Sequence, residues 1–367
     1  MKLSRLVIGG LIIAVGCLHP SEERASLDLA VGSAQSGGAS LVVDGGLAAI
    51  RSFSGGEAQL WAQAPVLRIQ ARGAMATASE LTLTIDNCLS DAVLTAIGED
   101  GVAITPVQRL ADRATQKRAS FPLPPNRAVT IDLRPPDADR PGPFRFAVLS
   151  DIQEAIDRVQ DILSRMNQDA DLRFVLSAGD LTDHGTPEEM ARFQRELQAL
   201  RVPFYATAGN HDISSSESTF RDWFGRGNFH FAFRTVSFTV LDSASATIDP
   251  SVYGWLDAWL EEARNSVHIV AMHIPPLDPV GERNAAFASR AEAAKLLAKL
   301  AGGGVDLTLY GHIHSYYAFA NAGIPAYVSG GGGAHPERMS GIGRHYLTVE
   351  VDAQRVLTTA LVRVDAP

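Results

Sequence analysis

Only two cysteines, Cys17 and Cys88, occur in the 367 residues, so a disulfide framework is excluded as the source of stability. Aromatic residues make up 7% of the chain, too few for an obvious stacking platform on its surface. A basic excess is also missing: 32 Lys and Arg stand against 41 Asp and Glu, a formal net charge of −9. That balance excludes a general duplex-DNA binder, though it leaves a small phosphate ligand open, because a local cationic site then matters more. Long apolar runs are absent apart from Leu6–Gly16, which is too short to cross a bilayer. No internal repeat appears. What is present is an ordinary globular composition, 46% hydrophobic and 20% charged, long enough for two domains with their own cores.

The first 17 residues read as an export signal: Lys2 and Arg5, then the apolar core "LVIGGLIIAVG", then Cys17. Ala14-Val15-Gly16-Cys17 resembles the lipobox of bacterial lipoproteins, with Ala14 where leucine is usual. The resemblance implies a lipid anchor at Cys17 and a place in the cell envelope; the alternative is a plain cleaved signal with an incidental cysteine. Residues 18–38 are rich in Ser, Gly, Ala and charge, without a sustained period, and are expected to be a flexible tether. Cys88 is expected to be a small buried hydrophobe.

Residues 39–135 carry short alternating runs. Leu81, Leu83 and Ile85 share one face, as do Val129, Ile131 and Leu133, with Gly- and Pro-rich punctuation between the runs. The pattern predicts an all-β sandwich. Residues 136–143, within "RPPDADRPGP", form a Pro-rich linker. From 144 to 367 the texture becomes strand, helix, strand, which predicts an α/β domain.

The apolar strands of this domain run into polar signatures. They are Asp151-Ile-Gln153, Gly179-Asp180, Gly209-Asn210-His211-Asp212, His273 before Pro275-Pro276, and Gly311-His312-Ile-His314. In open α/β sheets ligands sit at the carboxyl ends of strands, so these tips can converge. Carboxylates, amide oxygens and imidazoles together suit a pair of divalent transition metals. Any one of the signatures alone is most often a turn; the ordered set is not.

The ordered set resembles the calcineurin-like metallophosphoesterase superfamily, over about Phe144 to the C-terminus. The resemblance implies two packed mixed sheets flanked by helices around a two-metal site. Asp151, Gln153, Asp180 and His314 would bind one metal; Asp180 would bridge to a second, completed by Asn210, His273 and His312. A hydroxide generated at neutral pH would attack the phosphorus of a small phosphorylated substrate, be it a monoester, diester or diphosphate. His211 occupies the position that serves the leaving group and Asp183, in "GDLTD", the position that orients it. His184 stands where some members have a phosphate-gripping arginine, so His184 and His335, in the Gly-rich "SGGGGAH", are candidate substrate contacts.

Gln153 departs from the family, which has histidine there. A neutral amide oxygen favours manganese, with iron, zinc or magnesium as the other candidates. The competing reading is a catalytically impaired relative acting as a surface or binding protein. No protein partner can be deduced. His19, His230, His268 and His345 lie outside the signatures and are expected to be surface or structural; Asp212 and Asp242 are expected to make supporting hydrogen bonds.

Overall fold

The structure, a computed structural model, describes residues 20–74, 78–281, 284–339 and 342–364. The export signal, Cys17 and His19 lie outside the described residues.

Strands between 33 and 134 build two all-β sheets. The first has the order Ser33–Ser36, Ala39–Val43, Leu67–Arg72, Ala128–Arg134, Val93–Gly98, Ala103–Ile104. The second has the order Ala48–Ser54, Glu57–Ala62, Ser79–Asp86, Gln116–Leu123, Val107–Gln108. Alternation works as expected: Leu81, Leu83, Ile85, Val129, Ile131 and Leu133 are all buried. Cys88 is buried too, and burial pushes its thiol up.

The remaining strands form two mixed sheets. One runs Phe204–Ala206, Leu172–Ser177, Phe144–Val148, His345–Val351, Leu357–Arg363, parallel in its first half and antiparallel in its second. The other runs Phe229–Phe233, Val236–Leu241, Val267–Met272, Leu307–Tyr310, Ile324–Ser329, Tyr316–Asn321, with a parallel centre and antiparallel ends. Their facing sides meet through Phe144, Phe146, Phe174, Phe231 and Phe238, and this core is continuous with that of the N-terminal sheets. The fold expected from sequence, mixed α/β with packed mixed sheets after an all-β region, is therefore the one observed.

Side chains fasten the two halves together. The edge strand Phe204–Ala206 would leave backbone groups open; Asn87 and Gln63 close them, Asn87 through Phe204 N and O and Gln63 through Ala206 N and O. In the Pro-rich joint, Asp137 pairs with Arg173 and Arg234.

Residues 20–38, the described part of the expected tether 18–38, are ordered instead. Helix α1 (Pro20–Ala30) is followed at once by the strand Ser33–Ser36, so the all-β region also begins at 33 rather than 39. The only apolar residue that α1 buries is Ala25; it docks instead through Arg24 and Asp28, buried among charges of the C-terminal half. Among the described residues five further α-helices are α2 (Gln160–Met166), α3 (Pro187–Glu196), α4 (Thr219–Trp223), α5 (Pro250–Glu262) and α6 (Arg290–Gly302). Thr186 and Glu189 close a capping box at the start of α3, and Asp249 and Ser289 cap α5 and α6. Among the described residues no helix is long and apolar enough to cross a membrane.

Candidate metal centre

Asp151, Asp180, Asn210, His273 and His312 each lie just past the carboxyl end of a strand, and the two mixed sheets bring these ends together. The backbone there is unusual. Asp151, Gln153, Asp180 and His312 all have left-handed φ, at 60°, 47°, 53° and 70°. Each such residue costs about 1–3 kcal/mol, so the surrounding packing must hold them, as is typical of sites.

Two donor sets result. Asp151, Asp180 and His314 offer ligand atoms within 4.8 Å of one another, and so do Asp180, His273 and His312. Asp180 belongs to both. His273 Nε2 lies 3.3 Å from Asp180 Oδ2 and 3.0 Å from Asn210 Oδ1, while its Nδ1 faces the Ala178 carbonyl at 2.8 Å. That last contact fixes the ring so that Nε2 points into the site. His314 is held the same way, Nδ1 on the His335 carbonyl at 2.7 Å and Nε2 3.6 Å from Asp151.

The electrostatics ask for cations. Asp151 and Asp180 are fully buried, and among the described residues neither pairs with a lysine or arginine. Burial pushes Asp151 up against the pull of His273 and His314. At Asp180 burial is outweighed by His273 and His211, which hold it below the usual carboxylate range. Burial lowers His273, but Asp180 and Asp151 outweigh it and raise it to about 9. Two buried carboxylates sharing one small volume with imidazoles and amides are a donor set suited to divalent metal.

Gln153 differs in detail from its expected role. Its amide nitrogen, not its oxygen, faces inward, donating to Asp180 Oδ2 at 2.8 Å and lying 3.2 Å from His314 Nε2. A carboxylate prefers a donor, whereas a metal needs Oε1; a half-turn of the amide exchanges the two atoms. Next to it, Glu154 pairs with His335 at 3.0 Å.

His211 sits beside the donor sets, its backbone N–H donating to Asp180 at 2.9 Å. Its Nδ1 lies 2.8 Å from the Asp183 carbonyl and 3.3 Å from the Asp183 carboxylate. His184 is taken up differently: its ring is exposed and its Nδ1 bonds Glu189 at 3.1 Å. The His335 ring is 91% exposed. It lines, with His314, Arg158 and Arg344, a cavity of about 380 Å³.

Supporting residues hold the tips in place, Asp212 as expected from sequence, Ser150 and the Gly-rich backbone without a motif to announce them. Asp212 accepts from the backbones of Gly209, Leu181 and Thr182, tying two signatures together, and burial beside Asp180 raises it to about 7. Ser150 donates to Asp151 at 2.7 Å. The Gly-rich run is a brace: Gly332 N–H donates to the Ser150 carbonyl and Ala334 N–H to that of Asp151. A Cβ on Gly209 would stand 2.0 Å from Asp180 Oδ1, so only glycine permits this approach.

Residues 144–316 match the family described as "Calcineurin-like phosphoesterase". This segment is a calcineurin-like phosphoesterase domain. Members of that family use divalent metals, in keeping with the two donor sets. Among curated proteins, the chain is 28% identical over 200 residues to a 3',5'-cyclic-nucleotide phosphodiesterase of Nostoc sp., covering 48% of this chain and 73% of that protein. It is 32% identical over 115 residues to "Probable glycerophosphodiester phosphodiesterase GpdQ" of Arcobacter nitrofigilis, covering 28% of this chain and only 42% of that protein. Similar solved structures include GAP50 of Plasmodium, at 16% identity and TM-score 0.49, covering 61% of this chain and 85% of that one. Another is a dimetal phosphatase from Danio rerio, at 14% identity and TM-score 0.44, covering 60% and 99%.

Proposed function

We propose that this phosphoesterase domain hydrolyses phosphodiester bonds with two divalent cations, one held by Asp151, Gln153, Asp180 and His314, the other by Asp180, Asn210, His273 and His312. The observation that carries this is Asp180, a buried carboxylate common to both donor sets, with His211 bonded to it. When bound, such cations neutralise phosphate oxygens and lower the pKa of water. The residues supply orientation. With Nδ1 engaged by Asp183, His211 has Nε2 left for the substrate, oriented to give a proton to a leaving alkoxide. Arg158 at the neighbouring cavity suits an anionic substrate, whereas Arg344 there is paired with Asp161. The names of the two curated relatives support a diester over a monoester.

The neutral Gln153 amide supports manganese as the preferred metal. The two N-terminal sheets are read as a sandwich-like accessory domain. Export and lipidation at Cys17 rest on the sequence of residues 1–17.

The test compares bis(p-nitrophenyl) phosphate with p-nitrophenyl phosphate, using the full chain loaded with manganese, iron, zinc or magnesium. The diester should turn over fastest with manganese. His211→Ala should lower kcat by about 10²–10⁴-fold, and Gln153→His should move the preference toward zinc. Absence of turnover with every metal would leave the impaired-relative reading in its place.

A further inference from the structure

A second cavity, of about 310 Å³, lies where the N-terminal sheets meet α3 and α4, and none of its lining residues belongs to the metal centre. Arg51, Arg113 and Arg195 line it together with Trp61, Trp223 and a single carboxylate, Asp86. Asp86 is already committed: Arg113 pairs with it and Gln116 donates to it at 2.9 Å. Arg51 has no carboxylate partner among the described residues. Its guanidinium lies 4.5 Å from the ring centre of Trp61 and 5.7 Å from that of Trp223, and it donates to the Trp223 carbonyl. Burial holds Arg51 down at about 10.

Two donors in this cavity are left without an acceptor. Arg51 Nε and Trp61 Nε1 are both buried, and neither finds a hydrogen-bond partner in the protein. Buried N–H groups are rarely left so, and a buried guanidinium whose carboxylate neighbour, Asp86, is already bonded by Arg113 and Gln116 is costly. Three guanidinium groups against one carboxylate leave the lining net positive, with unsatisfied donors and indole faces beside them.

We infer that this cavity is a binding site for a small oxyanion, a sulfate, phosphate or carboxylate group, held by Arg51 and the Trp61 N–H, with Arg113 and Arg195 at its margin. Such a group can accept from the unpartnered donors and offset the positive charge that Asp86 alone leaves unbalanced. Its volume suits a free small anion rather than a macromolecule. The site is separate from the metal centre yet touches Trp223, the last residue of α4, which continues the segment that begins at Asn210-His211.

Sodium sulfate is the probe, added to the metal-loaded full chain at low ionic strength, with sodium chloride at matched ionic strength as control. Two of the four tryptophans line this cavity, so intrinsic fluorescence reports its occupation. Sulfate should give a saturable change that chloride does not. Arg51→Gln should weaken it at least about 10-fold and Arg195→Gln about 3-fold, as expected when charge-assisted bonds are removed. Arg195 is exposed, so its variant keeps the test decisive if Arg51→Gln fails to fold. No saturable change would mean that water alone satisfies the two donors, and would overturn the inference. A change that survives in Arg195→Gln and is lost in Asp180→Asn would place the anion at the metal centre, and would overturn it equally.

Discussion

Replacing Arg24 by methionine keeps the length of the side chain and removes its charge, and the cost can be worked from its contacts. Arg24 is 1% exposed and bonds three groups: Asp242 at 2.7 Å, Glu217 at 2.8 Å and Ser245 at 3.0 Å. Breaking a buried ion pair by removing one partner costs about 3–5 kcal/mol, because the other charge stays buried. Here Asp242 keeps Arg221 at 3.1 Å and the Ala244 N–H, which offsets part of the loss. Glu217, 23% exposed, can turn toward water. The expected loss is therefore near the lower end, about 3 kcal/mol. Glu217→Gln alone should cost about 1 kcal/mol. Urea unfolding followed by circular dichroism measures both.

The acid dependence gives a second reading of the same variant. Burial would raise Asp242, but Arg24 and Arg221 outweigh it and hold it below the usual carboxylate range. A carboxylate depressed in the folded state contributes stability above its unfolded pKa and loses it as pH falls through the folded value. The margin between wild type and Arg24→Met should thus be full at neutral pH and shrink below about pH 4. A loss under about 1 kcal/mol at pH 7 would mean that α1 merely leans on the domain and that the network is not what docks it.

Two further expectations follow from buried groups. His230 and His268 both bond Thr239, and burial lowers each to about 4. The unfolded chain protonates them near 6.5, so stability should fall from about pH 6.5 down to about 4, by up to about 3 kcal/mol for each histidine; melting temperatures for wild type and His268→Gln check this, the variant showing the shallower slope. Gly209→Ala would drive a methyl group into Asp180, so metal content measured by mass spectrometry should drop, with activity at least about 100-fold lower. Unchanged metal content in that variant would mean that Asp180 has room to move.

The clustering of the candidate ligands is legible because they sit in short local signatures, each at a strand end, where Gly, Asp, Asn and His are read without knowing the packing. His211 with Asp183, and Asp151, Asp180, His273, His312 and His314 with one another, meet as their order suggests. Gln153 was legible as a neighbour and not as an atom, since its two amide ends are distinguished only by what faces them. The Gly-rich run 329–335 is legible in sequence only as the carrier of a candidate contact, His335; that Gly332 and Ala334 donate to the Ser150 and Asp151 carbonyls is not. Helix α1 was misread for a physical reason. "PSEERASLDLA" lacks an apolar stripe because it docks by ion pairs, and buried Arg24 and Asp28 look in sequence like solvated charges. No periodicity reveals partners about two hundred residues away.

The early start of α1 changes the distance scale of the whole molecule. A loose segment over residues 18–38 would let the catalytic body wander some 25 Å from whatever held Cys17, by the scaling of flexible chains. With Pro20 already in a helix locked to the catalytic half, only Leu18 and His19 intervene, a reach of about 10 Å at full extension. If Cys17 carries a lipid, as proposed from the sequence, the phosphoesterase domain would stay close to the bilayer surface. Substrates presented at headgroup height would be met directly, and soluble ones only as they graze that surface.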